Sequence, residues 1–83
     1  MTSSKTVVLY TRVGCHLCDD AKDVIDGVRV DRAFELEIID VDTDPALAAA
    51  YGLEVPVIAI DGRKAFKFRV TAEALRQRLD RPD

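Results

Sequence analysis

The cysteines Cys15 and Cys18 are the residues of this chain best suited to chemistry, and they lie in the stretch 10-YTRVGCHLC-18. A pair with this spacing has three interpretations: a redox couple, half of a metal site, or two small core residues. A thiolate attacks disulfides and also binds soft metal ions, so the sulfur chemistry alone does not decide between them. The decision depends on the elements that position the two side chains.

The residues before the pair predict a strand, and the residues after it predict a helix. The run 6-TVVLY-10 is apolar and β-branched, and Gly14 permits a turn. From Cys15 onward, apolar residues recur at helical spacing, which predicts a helix over about residues 16–30. Cys15 therefore falls where the free N–H groups and the dipole of a helix start favour a thiolate.

The rest of the chain completes the element order β-α-β-α-β-β-α. We predict a strand over 34–41, a helix over 45–51 between Asp44 and Gly52, a hairpin with strands 57–60 and 64–70, and a helix from the N-cap Thr71 to about Leu79. In the last strand, Phe66, Phe68 and Val70 are expected to share one face. The prediction is a single α/β domain over 1–83, a four-stranded mixed sheet with helices on both faces, and a flexible segment 1–5.

This placement favours the redox couple. Cys18 lies one helical turn after Cys15, so one sulfur can attack a disulfide and the other can resolve the mixed disulfide. We predict that Cys15, nearer the helix end, is the nucleophile and that Cys18 is the resolving thiol. A zinc site needs four ligands, so we expect no metal in a single chain, which adds only His16 to the pair. Two chains together could still share zinc or an iron–sulfur cluster.

Two further features bear on the pair. His16, when protonated, would lower the pKa of Cys15 or pass a proton to the leaving thiol, but it could equally be an exposed polar residue. Pro56 stands at the start of an apolar strand, where it can simply initiate that strand. Alternatively, a cis Val55–Pro56 bond would hold the Val55 backbone toward the cysteines as an edge for an extended substrate.

Composition and charge narrow the classes of function. The net charge of −3 argues against a nucleic-acid partner, and the 48% hydrophobic share is ordinary for a globular domain. Apolar runs such as 53–60 are too short to cross a bilayer, and no secretory signal pattern is present. We therefore expect a cytoplasmic monomer with no membrane partner. In that compartment a structural disulfide is unusual, which again favours a redox-active one.

The pattern Y-T-R-x-G-C-x-x-C, followed by a helix and later by Val-Pro before a hairpin, resembles the glutaredoxins within the thioredoxin fold. The resemblance runs from about Thr6 to Leu79 and is closest to small bacterial glutaredoxin-like proteins with Cys-His-Leu-Cys. It implies a thiol–disulfide oxidoreductase that serves electron transport and reduces protein or glutathione mixed disulfides. It also implies no tightly bound cofactor, with glutathione or a reductase as the source of electrons.

The resemblance assigns roles to individual residues. It makes Cys15 the nucleophile and Cys18 the resolving thiol, and it matches Val55 and Pro56 to the cis-proline substrate edge. Arg12 lies where glutaredoxins place a lysine that helps to bind a glutathione carboxylate.

Three places depart from the glutaredoxin pattern. His16 and Leu17 replace the proline and the aromatic residue between the cysteines, and Glu54 replaces the threonine before Val-Pro. The segment 69-RVTAE-73 stands where glutaredoxins have Gly-Gly and an acidic stretch. Two alternatives to an enzyme therefore stay open: a metal-binding module shared by two chains, and an accessory domain that uses the fold only to dock a partner.

Overall fold

Three α-helices and four strands follow the predicted order in the computed structural model, which describes residues 5–81. They are β1 (Lys5–Thr11), α1 (His16–Arg29), β2 (Phe34–Asp40), α2 (Pro45–Tyr51), β3 (Val57–Ile60), β4 (Arg63–Lys67) and α3 (Ala72–Asp80), with a 3-10 turn at Val41–Thr43. Within residues 5–81, no helix has the length and apolar character that crossing a membrane requires. The predicted flexible segment 1–5 lies outside the described residues, except for Lys5, which opens β1.

The strands form one mixed sheet in the order β2-β1-β3-β4. β1 pairs with β2 in parallel and with β3 in antiparallel orientation, and β3 pairs with β4 in antiparallel orientation. The parallel pair requires a crossover connection, which α1 supplies. The predicted four-stranded mixed sheet is therefore confirmed, and β1, which leads to the cysteines, is one of its two central strands.

The helices cover both faces of this sheet. On one face, Leu9 of β1 packs in a core cluster with Ile25 of α1 and Leu75 of α3. On the other face, the ring of Tyr10 lies against the ring of Tyr51 in α2, with 4.6 Å between the centroids. Because successive strand residues point to opposite faces, α1 and α3 lie on one side of the sheet and α2 on the other. The prediction of helices on both faces is confirmed.

The end of β4 differs from the prediction. The strand was expected to continue to residue 70, but it ends at Lys67. Phe68 takes a left-handed φ of 68° and is 43% exposed, so the predicted face shared by Phe66, Phe68 and Val70 is wrong. The backbone turns away here, and the Phe68 N–H donates to the Pro56 carbonyl at 2.9 Å. Apolar alternation does not reveal such a turn, because it depends on a contact distant in sequence.

Candidate active site

Cys15 is the N-cap residue of α1, at the predicted junction of strand and helix. Its backbone is extended, and its Sγ accepts a hydrogen bond from the Cys18 N–H at 3.1 Å. The loop before it is closed by the Cys15 N–H, which donates to the Arg12 carbonyl at 3.2 Å. Gly14 takes a φ of 82°, which side chains rarely allow. The sulfur thus accepts a hydrogen bond from one of the free N–H groups of the helix start, an arrangement that favours a thiolate.

The two sulfur atoms lie close enough to form a disulfide. The Cα atoms are 5.2 Å apart, within the range of protein disulfides. Cys15 is half-buried, whereas Cys18 is only 2% exposed. No group of three or more His, Cys, Asp or Glu side chains in residues 5–81 is arranged to hold a metal ion. The arrangement can exchange electrons as dithiol and disulfide.

The residues between the cysteines differ in their surroundings. His16 is the first residue of α1, and its side chain is exposed, while Leu17 is half-buried. Nothing in the contacts of the described residues ties the His16 side chain to a partner. Its predicted tuning of Cys15 therefore stays a prediction.

The Arg12 side chain forms hydrogen bonds with other residues of the same chain, which the sequence did not predict. Its Nε donates to Asp42 Oδ2 at 3.1 Å, its Nη2 to Asp42 Oδ1 at 2.9 Å, and its Nη1 to the Gly52 carbonyl at 3.0 Å. The hydrogen bond and the charge of Asp42 raise the pKa of the Arg12 guanidinium above its ordinary value. From the sequence, Asp42 was one of several acidic residues before α2, and Gly52 was only a helix end. The predicted contact of Arg12 with a glutathione carboxylate stays a prediction.

The Val55–Pro56 peptide bond is cis, with Pro56 buried and Val55 half-buried. The preceding Glu54 accepts a hydrogen bond from Lys64 Nζ at 2.7 Å and lies 3.7 Å from Lys67 Nζ. The hydrogen bond from Lys64 is the main reason that the pKa of Glu54 is lowered. The negative charge that departs from the glutaredoxin pattern is therefore compensated by two lysines. The predicted role of Val55 and Pro56 as a substrate edge stays a prediction.

A groove of about 170 Å³ lies between the first turns of α1 and the segment that leads into α3. Sequence reasoning missed it, because Phe68 was expected in the core. Its walls are mostly apolar and also contain one acidic and one basic side chain. The groove is lined by the apolar residues Leu17, Ala21, Phe68 and Val70, by the charged residues Asp20 and Arg69, and by Thr71.

Taken together, the mixed sheet, its flanking helices and the cysteine pair at the start of α1 define a protein of the thioredoxin fold. A mutant thioredoxin from Halobacterium salinarum superposes with a TM-score of 0.71, covering 94% of this chain and 74% of that chain. At 23% identity, this likeness shows the fold alone. Residues 6–80 match the glutaredoxin-like domain family (DUF836), and the chain belongs to that family.

Two relatives share most of their length with this chain. The crystal structure of target protein XcR50 from X. campestris is 39% identical, has a TM-score of 0.77, and is matched over 89% of this chain and 95% of that chain. An uncharacterized protein of Mycobacterium tuberculosis is 31% identical over 84 residues, which cover 95% of this chain and 87% of the relative. The family assignment therefore applies to the domain as a whole, and the close cysteine pair in this fold indicates a redox function.

Proposed function

We propose that the protein is a dithiol–disulfide oxidoreductase that reduces disulfides through Cys15 and Cys18. One observation carries the proposal: the two sulfurs are at bonding distance at a helix start, yet they differ in exposure. Cys15 is partly exposed, and its sulfur accepts a hydrogen bond from a helix N–H, which favours the nucleophilic thiolate. Cys18 is buried beside it, so its sulfur can reach the Cys15 sulfur once Cys15 has formed a mixed disulfide with the substrate.

The reaction needs two exchange steps. The Cys15 thiolate attacks one sulfur of the substrate disulfide, that S–S bond breaks, and the departing thiolate takes a proton. The Cys18 thiolate then attacks Cys15, which forms the Cys15–Cys18 disulfide and releases the second substrate thiol. Two electrons have passed from the protein to the substrate. Two molecules of glutathione, or a reductase, return them and restore the dithiol.

The surroundings of the pair support a polypeptide disulfide as substrate. Val13, two residues before Cys15, is 86% exposed, and Leu53, two residues before Val55, is 93% exposed. The groove beside Leu17 adds apolar surface next to α1. Such surfaces suit the apolar side chains of a protein segment, whose backbone would lie along the edge at Val55 and Pro56.

A glutathione mixed disulfide is the other substrate in the proposal. The proposed setting is the cytoplasm, where thiols are kept reduced and a dithiol can be recycled. There the protein would act as a monomer without a tightly bound cofactor. Glutathione would then enter only as a reductant or as part of the substrate.

Serine variants test the proposal. The reduced protein should turn over a disulfide-bonded protein substrate when coupled to glutathione and glutathione reductase or to thioredoxin reductase. Cys15→Ser should abolish turnover, whereas Cys18→Ser should accumulate a mixed disulfide between Cys15 and the substrate that mass spectrometry detects.

Two results would contradict it. One is a lack of turnover in both coupled systems with the dithiol intact, and the other is full activity of Cys15→Ser. Colour or stoichiometric metal in freshly purified protein, together with a dimer in solution, would favour the metal-binding module instead. Full biological activity of Cys15→Ser would favour the docking domain.

A further inference from the structure

We infer that Arg12 is a positioning residue for Cys15 rather than a binding residue for a substrate carboxylate. Its side chain is held by Asp42 and by the Gly52 carbonyl, and we call these three residues the Arg12 clamp. The kinetic consequences of the clamp rest on the proposed function, whereas its effect on the environment of Cys15 does not.

The clamp joins three segments that are far apart in sequence. Arg12 lies in the loop after β1, Asp42 in the 3-10 turn after β2, and Gly52 at the end of α2. The same residue also holds the cysteine loop, because the Arg12 carbonyl accepts the Cys15 N–H at 3.2 Å. Arg12 therefore connects the backbone of Cys15 to the 3-10 turn after β2 and to the end of α2.

Gly52 fits the clamp because of space, not because of its backbone angles. Its φ of −56° is helical and open to any residue. A Cβ atom at this position would lie 2.7 Å from Arg12 Nη2, and it would also overlap the carbonyl oxygen of Ala48. Both contacts are closer than real Cβ atoms approach. The guanidinium occupies the space that a side chain at residue 52 would need.

Asp42 is itself held in place. Its N–H donates to Asp40 Oδ1 at 2.8 Å, which caps the 3-10 turn. The carboxylate meets Arg12 with two parallel hydrogen bonds, the strongest geometry for this pair of groups. A substrate carboxylate could take that side of Arg12 only after Asp42 had left it.

This competition makes the Asp42→Asn variant decisive, because the two roles predict opposite effects. If Arg12 binds a substrate carboxylate, removing the charge of Asp42 frees the guanidinium, and reaction with an anionic substrate improves. If Arg12 positions Cys15, the same change loosens the loop, and reaction with every disulfide slows.

The experiment compares Asp42→Asn and Arg12→Lys with the wild type on two disulfides. Glutathione disulfide carries carboxylates, and hydroxyethyl disulfide carries none. We expect both variants to slow the reaction of the reduced protein with both disulfides by the same factor, about tenfold, as small displacements of a reacting group do. The double variant should be no slower than either single variant, since the two residues act as one unit.

A second readout does not depend on turnover. Alkylation of Cys15 by iodoacetamide, followed across pH, reports the apparent pKa of this thiol. In both variants we expect that pKa to rise, because a loosened loop weakens the hydrogen bond from the Cys18 N–H to the Cys15 sulfur. Gly27→Ala is the matched control, since a Cβ there meets no atom within 4 Å, and it should leave rates and pKa unchanged.

The outcomes separate the two proposals. Faster reaction of Asp42→Asn with glutathione disulfide alone would overturn the clamp, as would unchanged rates and an unchanged Cys15 pKa in both variants. A wild type that reduces no disulfide would overturn the proposed function, while the alkylation profile would still test the clamp. Circular dichroism melting identifies any variant that unfolds. If Arg12→Lys unfolds, the isosteric variant Asp42→Asn still tests the clamp.

Discussion

Cys15 and Cys18 have different surroundings because a helix begins between them. Cys15 is the N-cap, with an extended backbone, so it stays outside the first turn. Cys18 is one turn further on, and Ala21 and Ile25 follow it at helical spacing on the buried side of α1. The helix period thus buries one sulfur and leaves the other accessible. Two identical side chains thus differ in exposure although only three residues separate them.

At the same scale, His16 provides a prediction about the nucleophile. Replacing His16 with Leu should raise the pKa of Cys15, because the protonated imidazole favours the neighbouring thiolate. The measurement is the thiolate absorbance of the reduced protein as a function of pH. His16→Lys keeps a positive charge and should leave the pKa of Cys15 at or below its wild-type value. Identical titrations of all three proteins would remove His16 from the mechanism.

Single residues could be predicted from sequence only where their setting is local. The helix start, Gly14 and the cysteine spacing lie within one short stretch, so the pair and its position follow from that stretch. The partners of Arg12 lie 30 and 40 residues later. No periodicity links such distant positions, and the sequence does not indicate which of the many acidic residues pairs with Arg12. Arg12 was therefore predicted from resemblance alone, without its ion pair.

Among the elements, α3 depends on Leu75, which is fully buried in the core cluster beside α1. Leu75→Ala should lower the free energy of unfolding by about 2–5 kcal/mol, since it leaves a cavity that the helices fill only in part. Chemical denaturation measures the change. The control Leu53→Ala removes the same atoms from a side chain that is 93% exposed, and it should change stability by no more than about 0.5 kcal/mol. Equal effects of the two variants would show that α3 does not pack as described.

Element boundaries were predictable where a capping residue marks them. Asp44 and Thr71 accept hydrogen bonds from the first turns of α2 and α3, and both helices begin where the sequence indicated. The end of β4 has no such mark. The end of β4 depends on the left-handed backbone of Phe68 and on the hydrogen bond from its N–H to the carbonyl of Pro56, the residue just before β3. The groove beside α1 was missed for this same reason.

For the whole molecule, Arg32 joins the loop after α1 to the last residue of α3. It donates to both carboxylate oxygens of Asp80, at 2.9 and 3.1 Å, and this contact lowers the pKa of Asp80 below its ordinary value of 3.8. A carboxyl group whose pKa falls on folding stabilises the fold above its unfolded pKa. That contribution disappears as the pH falls through the folded value.

Asp80→Asn should therefore be less stable than the wild type at neutral pH, and the difference should shrink as the pH falls through the lowered folded pKa of Asp80, because the carboxyl group then becomes protonated in both states. Thermal unfolding across this pH range is the measurement. Asp23→Asn is the control, because Asp23 is exposed on α1 and has no ion pair among the described residues. A difference that persists in acid would mean that the stabilisation by Asp80 does not depend on its charge.

The long separations within the Arg12 clamp have a consequence for biosynthesis. A growing chain carries both thiols before Asp42 and Gly52, which are added 30 and 40 residues after Arg12. Until then the dithiol exists without the contacts of the Arg12 clamp, and β1 still lacks its antiparallel neighbour β3. In a chain that ends before residue 42, the loop that carries Cys15 therefore has neither Asp42 nor Gly52 to bind the Arg12 side chain.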